Sequence, residues 1–289
     1  SDFLRVCRKA LKMIQIKFPD PLPTEIEEWK IKAKAITELI IAEDDLAEKH
    51  KLIDRYDKHW RKPELINWMS DLFFEKCWYT ETKFGGDYQE LEHFRPKKGT
   101  KDKDGSNIDG HPGYYWLAFN LDNYRLSKRR PNAKKSTFFP ILDERHRACC
   151  IDDEWQAELP LFLDPMDEED CLLISFNDNG KPCSSLGIED QDIIRVNFTI
   201  DKFFLDERIL NRRRAQVWKT ARALYYKYQS DMKEAKAKST DKVLLRAQAK
   251  KDLVILKEML KPNAEFSAVA KAALIKTNES VAISIATSS

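Results

Sequence analysis

Glu92 and His93 stand side by side at the end of a short apolar run in LEHFRPKK, just before Pro96. Asn123 follows His93 by thirty residues, in LDNYRLS, and Asn132 comes nine residues later, in KRRPNAKK. A carboxylate, an imidazole and two amides are the parts that phosphodiester hydrolysis needs. That reaction requires a base to activate water, a hard cation to offset charge on the phosphorane and the leaving oxygen, and basic groups to hold the backbone. His93 is the natural base, because its ordinary pKa lies near working pH. Glu92 and Asn132 offer oxygen ligands of the kind that Mg²⁺ or Mn²⁺ takes. Asn123 can fix the loop that aims the histidine through hydrogen bonds from its amide. Asn120 is the alternative for that role, but it breaks the nine-residue spacing.

Basic side chains surround these four. Arg125, Lys128, Arg129, Arg130, Lys134 and Lys135 fall between positions 125 and 135 with no acid among them. The run brackets Asn132, so it reads as phosphate contact rather than as a solvated face. Arg95, Lys97 and Lys98 flank the base in the same way. Arg212, Arg213 and Arg214 form a second patch, suited equally to nucleic acid or to an acidic partner surface. His111, before Pro112, reads as solvated, with a substrate role as the alternative. His50, His59 and His146 read as surface residues. The aromatics of 114–119 read as core rather than as a base-stacking platform.

The elements that position this set read as a small β-rich centre between helical arms. Thr24–Leu46 is expected to be helical, with Thr24 as N-cap, Glu27 three residues on, and Ile26, Trp29, Ile36, Leu39 and Ile40 on one face. Pro19, Pro21 and Pro23 stop helix before it, which leaves Met13–Phe18 as a short extended piece. Glu64–Cys77 is expected to be a second helix after Pro63. In the centre, Tyr88–Phe94, Tyr114–Phe119 and Tyr124–Leu126 are short strand-like runs, and a helix can begin near Asn132. The turn-rich stretch from Lys97 to Pro112 is expected to be a mobile loop. Residues 143–190 are acidic and irregular. Helix returns over Asp206–Gln229, Lys242–Leu260 and, last, Ala264–Lys276. The implied organisation is a helical region over 1–76, a core over 77–145, an acidic irregular segment packing on it over 146–200, and a helical region over 201–289. There is no internal repeat.

Composition excludes several classes. With 289 residues and 42% hydrophobic content the chain is long and apolar enough to fold around a core without staples. No run of eighteen apolar residues occurs, so no membrane-spanning helix is expected. The stretch Ser1–Phe18 alternates basic and apolar residues and lacks a secretion signal's apolar segment, which points to the cytoplasm. The six cysteines, Cys7, Cys77, Cys149, Cys150, Cys171 and Cys183, show no CxxC spacing and are expected to be free thiols. Eight glycines and neither GxxxxGK[ST] nor GxGxxG argue against ATP binding by this chain. A net charge of +2 suggests no general coating for nucleic acid. The average hides a segregation, however, because residues 143–170 carry eleven acids against Arg145 and Arg147.

Acidic-His, Asn, then Asn nine residues on, in a strand–loop–strand–helix order, resembles the HNH (His-Me finger, ββα-metal) endonucleases. Lys76–Glu81 (KCWYTE), Leu91–Lys97 (LEHFRPK), Gly113–Phe119 (GYYWLAF), Phe138–Ile141 (FFPI) and Leu163–Pro165 (LDP) narrow the resemblance to the HNH nuclease subunit of Septu-type antiphage systems, the PtuB-like family. It covers roughly residues 63–185. The resemblance implies an α+β, mainly helical fold with a ββα-metal HNH core between helical arms. It implies His93 as general base, Glu92 and Asn132 as ligands of one divalent metal, and Asn123 as the structural Asn. It also implies a partner ATPase of the ABC/SMC-like class (PtuA-like), with a homodimer within the complex as one arrangement. Many relatives carry two CxxC pairs that bind a structural zinc. Here those positions read Cys77-Trp78-Tyr79-Thr80 and Lys128-Arg129-Arg130-Pro131, so no structural zinc is expected. Trp78, Tyr79, Tyr115 and Trp116 are expected to replace it by apolar packing.

The function expected from these residues is metal-dependent cleavage of DNA by the effector of an ATPase-linked defence complex. Two alternatives stay open: the same site acting on RNA such as tRNA, and a catalytically dormant scaffold subunit whose helical arms serve the ATPase.

Overall fold

A computed structural model describes residues 15–237 and 241–288. Cys7, most of the basic–apolar stretch and the first residues of the expected extended piece lie outside them. The fold is α+β and mainly helical, with two small antiparallel sheets.

Helix α1 (Thr24–Ala42) buries Ile26, Trp29, Ala33, Ile36 and Ile40, a three-and-four spacing that keeps one stripe on the core. Its cap position is Pro23 rather than Thr24, and no side chain caps it. The expected single helix to Leu46 ends at Ala42. The three acids that follow turn the chain, and Asp45 caps α2 (Leu46–Arg55) by accepting from the Glu48 amide at 2.9 Å. Helix α3 (Pro63–Leu72) starts on Pro63 and stops five residues short of Cys77. Phe74 and Glu75 turn left-handed there (φ 56° each), and Lys76 plunges inward to donate to the Ala264 carbonyl at 3.1 Å.

The centre holds β1 (Gln89–His93) and β2 (Tyr124–Lys128), paired antiparallel with Glu92 opposite Arg125 and His93 opposite Tyr124. Helix α4 (Arg129–Lys135) follows β2 directly, three residues before Asn132. The Tyr114–Phe119 run is not a strand. It forms a 3-10 turn over Tyr115–Leu117, and Tyr114, Trp116, Leu117, Ala118 and Phe119 are all buried. The turn-rich segment after Lys97 is pinned by Lys101, whose amide donates to the Thr137 carbonyl at 2.9 Å and whose carbonyl accepts from Phe139 N at 2.9 Å.

The acidic stretch holds 3-10 turns and a hairpin, β3 (Ile174–Phe176) with β4 (Pro182–Ser184), and it gives way to α5 (Asp190–Lys202), a helix the sequence reading left irregular. The C-terminal arm is built from α6 (Arg208–Lys236), α7 (Lys242–Leu260), α8 (Ser267–Ile275) and α9 (Ser280–Thr287). The last of these lies beyond the final helix expected. Trp218, Tyr225, Leu256, Leu260 and Phe266 make its core, while a second cluster around Trp29, Trp60, Trp78 and Phe94 fills the rest. Among the described residues no helix is long and apolar enough to cross a membrane.

Candidate active site

Strand alternation and helix periodicity decide what meets at α4. Glu90 and Glu92 share one face of β1, and Asn132 and Lys135 lie one helical turn apart. The Asn132 amide nitrogen donates to Glu90 Oε2 at 2.8 Å. Lys135, fully buried, places its ammonium 2.8 Å from Glu92 Oε1 and donates to the His93 carbonyl at 3.0 Å. Tyr79 donates its hydroxyl to Glu92 Oε2 at 2.7 Å. The buried carboxylate therefore has both a counter-charge and a hydrogen bond, which is what removal from water demands. Burial and the neighbouring Glu92 charge push the Tyr79 phenol well up, so it stays a donor.

His93 is buried and held edge-on against Trp60 and Tyr124, at centroid distances of 4.9 and 5.1 Å. Its Nε2 lies 2.9 Å from the Ala118 carbonyl, which can only accept, so Nε2 carries the proton. Nδ1 is left with its lone pair, and Lys97 Nζ lies 3.5 Å from it. Burial first, and then the Lys97 charge, hold the imidazole well below its ordinary pKa. The ring is neutral, and its second nitrogen is an acceptor that faces the Lys97 ammonium. Lys97 is itself held down to about 8 by burial and by the charges of Lys98 and Arg61.

Asn123 stitches the two ends of the 94–123 loop. Its Oδ1 accepts from Arg95 N at 2.7 Å, and its Nδ2 donates to the carbonyls of Arg95 at 3.0 Å and Leu117 at 3.1 Å. Leu117 adjoins Ala118, the acceptor for His93, so the amide fixes the loop that orients the imidazole. Asn120 does something else: its side chain accepts from Asp122 N and caps a 3-10 turn.

Glu92, His93, Lys97, Lys98 and Asn132 line one open cleft of about 280 Å³, with Ser136 and Thr137 on its rim. Glu92 and Asn132 carry oxygens of the type that Mg²⁺ or Mn²⁺ takes, but both Glu92 oxygens are already engaged, one by Lys135 and one by Tyr79. Among the described residues no group of three or more His, Cys, Asp or Glu is positioned to hold a metal ion. The pair at the cleft, one carboxylate and one amide, is not a group of that kind.

Three of the nine basic residues assigned to phosphate contact face inward. Arg95 donates Nε to Glu158 Oε2 at 2.8 Å, Arg125 grips Asp164 with two nitrogens, and Lys135 serves Glu92. Their charges are matched inside the protein, which removes them from the binding surface. Lys98 pairs with Asp54 at 2.5 Å, Lys128 with Asp87 at 2.8 Å, and Arg129 reaches Glu90 at 3.7 Å. Arg130 and Lys134 are exposed on α4 and lie over the Phe204 ring at 4.8 Å each. In the second patch, Arg214 is buried against the Leu205 carbonyl, and Arg213 pairs with Glu265 at 2.7 Å.

Two histidines read as solvent-facing are buried. His59 stacks on Trp29 at 4.9 Å, and His111 bridges the Ala148 carbonyl and the Gly113 amide at 3.0 Å each. Neither faces the cleft. Cys77, Thr80, Lys128 and Pro131 come close together: Lys128 N donates to Cys77 Sγ at 3.5 Å, and the other two positions join Lys128 in lining a small pocket. Sequence reasoning missed Glu90 as the partner of Asn132, Lys135 as the counter-ion of Glu92, and Tyr79 as its hydrogen-bond donor. Periodicity put Glu90 with Glu92 and Asn132 with Lys135, but which side chains pair across the two elements was not visible. The third depends on a tertiary contact that no spacing encodes.

No protein-family model matches the chain. Over 205 residues, 67% of its length, the chain is 33% identical to the Septu protein PtuB of Bacillus mycoides (strain KBAB4). The matched region spans 62% of that protein, less than two thirds of it.

Proposed function

We propose that this chain is a Septu-type antiphage defence subunit and a metal-dependent HNH endonuclease that hydrolyses DNA phosphodiester bonds beside an ABC/SMC-like, PtuA-like ATPase. The similarity to a Septu protein supports the system. One observation carries the chemistry: a buried neutral histidine, its Nε2–H tied to the Ala118 carbonyl, offers Nδ1 beside a cleft walled by Glu92, Asn132 and two lysines.

In this reading His93 Nδ1 takes the proton from the attacking water. The Ala118 carbonyl keeps the imidazole in the required tautomer and stabilises the imidazolium that forms. Asn123 holds the Ala118 segment and the Arg95 segment in register. Lys97, on the cleft wall, takes a non-bridging phosphate oxygen. Glu92 and Asn132 would hold one Mg²⁺ or Mn²⁺, which when bound supplies charge for the phosphorane and the leaving oxygen. Lys135 and Tyr79 keep the Glu92 carboxylate aimed.

The test is cleavage of duplex DNA, single-stranded DNA and total RNA by the purified complex in Mg²⁺ or Mn²⁺. His93→Ala should lower the rate on the order of 10²–10⁴-fold with an unchanged melting profile. Equal cutting by wild type and His93→Ala would sink the proposal. Cleavage of RNA alone would keep the site and change the substrate.

A further inference from the structure

Next to the cleft, on another face of α4, lies a second pocket, of about 180 Å³, lined by Thr80, Arg130, Pro131, Phe203, Phe204 and Arg213 among others. Its chemistry is layered. Phe204, half-buried, gives it an aromatic wall, backed by the fully buried Phe203, and the hydroxyls of Thr80 and Thr82, 2.8 Å apart, are bonded to each other. Lys128, Arg130 and Arg213 stand at its edge. Of the lining cations, Lys128 and Arg213 are already matched by Asp87 and Glu265. The lining acid, Glu207, is spent on capping α6, where it accepts from the Ile209 and Leu210 amides.

Arg130 and its neighbour Lys134 are different. Both sit 4.8 Å from the centre of one ring, Phe204, and among the described residues no carboxylate oxygen lies within 4 Å of either. Two cations held against one ring repel each other, and an anion beside them relieves that repulsion. Phe204 holds its place through the end of α5: it is the left-handed residue (φ 52°) of the helix C-cap, and Leu205 N closes that cap on the Ile200 carbonyl at 2.9 Å.

A planar, aromatic, anionic group satisfies these features together, and a nucleotide is such a group. We propose that this pocket takes an unpaired nucleobase, with its phosphate on Arg130 and Lys134, so that the cleft acts on single-stranded or locally unwound nucleic acid. The proposal rests on the nuclease reading and names its substrate class. A base enters a pocket only when it leaves the stack, which excludes an intact duplex from this contact. The pocket is also close to the cleft, because Asn132 lines the cleft and Pro131 lines the pocket on a helix about 10 Å wide. A contact path joins them: Phe203 stacks on Tyr79 at 3.9 Å, and Tyr79 holds Glu92.

The experiment is fluorescence anisotropy in EDTA, with labelled single strands of about a dozen nucleotides, DNA and RNA, in which one abasic site is walked along the sequence. Wild type should bind about tenfold more weakly when the base at one position is missing, with little change elsewhere. Phe204→Ala should abolish that position dependence and change duplex affinity less than twofold, while Phe204→Tyr should keep it. Position dependence in either polymer upholds the pocket, and the polymer that shows it is the substrate class. Uniform tolerance of abasic sites by the wild-type protein in both polymers overturns the proposal without any variant having to fold. So does an equal loss of single-strand and duplex binding in Phe204→Ala. Binding without metal reads the pocket apart from chemistry. Position dependence in a protein that never cuts would overturn the nuclease reading alone, and cutting without position dependence would overturn the pocket alone.

Discussion

Asn123→Ala separates a loop fastener from an ordinary turn residue. The side chain is 4% exposed and makes three hydrogen bonds, to the Arg95 amide, the Arg95 carbonyl and the Leu117 carbonyl. Truncation leaves one buried donor and two buried acceptors without these partners. Each bond is worth about 1 kcal/mol net, and a buried orphan costs about 1–3 kcal/mol, so the loss should be about 3–5 kcal/mol. For a chain of 289 residues the entropy of unfolding is about 0.6 kcal/mol per degree, which converts that loss to about 5–8 °C in melting temperature. Asn123→Asp should do no better, since it keeps the acceptor for Arg95 N but faces two carbonyls with a carboxylate. Asn120→Ala is the control. It removes one exposed bond, to Asp122 N, and should shift the melt by less than about 1.5 °C. Differential scanning calorimetry in EDTA reads these numbers directly. Equal melts for Asn123→Ala and Asn120→Ala would refute the assignment of the fastener. So would a normal cleavage rate in Asn123→Ala, because the Leu117 carbonyl that it frees adjoins the acceptor that holds His93.

Other perturbations test the surrounding assignments. Arg125→Met should cost about 3–5 kcal/mol in urea melts by stranding the Asp164 carboxylate, whereas Arg130→Gln should melt like wild type and bind nucleic acid more weakly; the reverse ranking would return Arg125 to the binding surface. Lys97 loses its charge as pH rises through about 8, so wild-type cleavage should fall above that pH while Lys97→Arg holds its rate to pH 9; parallel alkaline limbs would remove Lys97 from the phosphate. Gly113→Ala should destabilise by more than about 2 kcal/mol, because φ is +76° and a Cβ there would lie 2.4 Å from Gly99 N, whereas Gly85→Ala, at φ +58° with open space, should cost only about 1 kcal/mol.

Much of the β1–β2–α4 unit was legible because its signals are local. The apolar run ending at His93, the proline after it and the spacing to Asn132 gave strand, break and helix in the observed order. The boundaries slipped where tertiary contacts took over. Helix α3 has apolar residues enough to continue, but Lys76 is drawn away to carbonyls near residue 262 in the C-terminal arm, a pairing no local pattern announces. Helix α5 was hidden because its turns carry Asp190, Asp192 and Asp201 and look like the acidic stretch before it. His59 and His111 were misplaced for a related reason. A histidine is buried or exposed according to whether a distant carbonyl satisfies its ring, and Trp29 and Ala148 do so here. The sequence singled out Glu92, His93 and Asn132, which line one cleft, and Asn123, which ties the loop beside it, but the partners of these side chains were not readable. Lys135 looked like one more phosphate contact until its burial placed it on Glu92.

The charge segregation acquires a different meaning once these pairs are known. Glu158, Asp164 and Asp170, all from the acidic stretch, receive Arg95, Arg125 and Arg195 in buried contacts. Glu158 and Asp164 are therefore internal counter-ions of the motif that precedes them, and Asp170 ties the stretch to the helix that follows. What remains outside is smaller than the sequence count suggests. Of the nine cations assigned to phosphate, three are buried in pairs, three hold acids nearer the surface (Asp54, Asp87 and the half-buried Glu90), and Arg130, Lys134 and the cleft residue Lys97 are left. Each phosphate neutralised lowers the slope of log K against log salt by about 0.9 on duplex DNA. Three free cations give a slope of about −3, and yielding of the pairs nearer the surface takes it to about −5. A slope near −8 in a salt titration of the isolated chain would require Arg95, Arg125 and Lys135 to leave their buried partners, and would overturn the inward placement of those three.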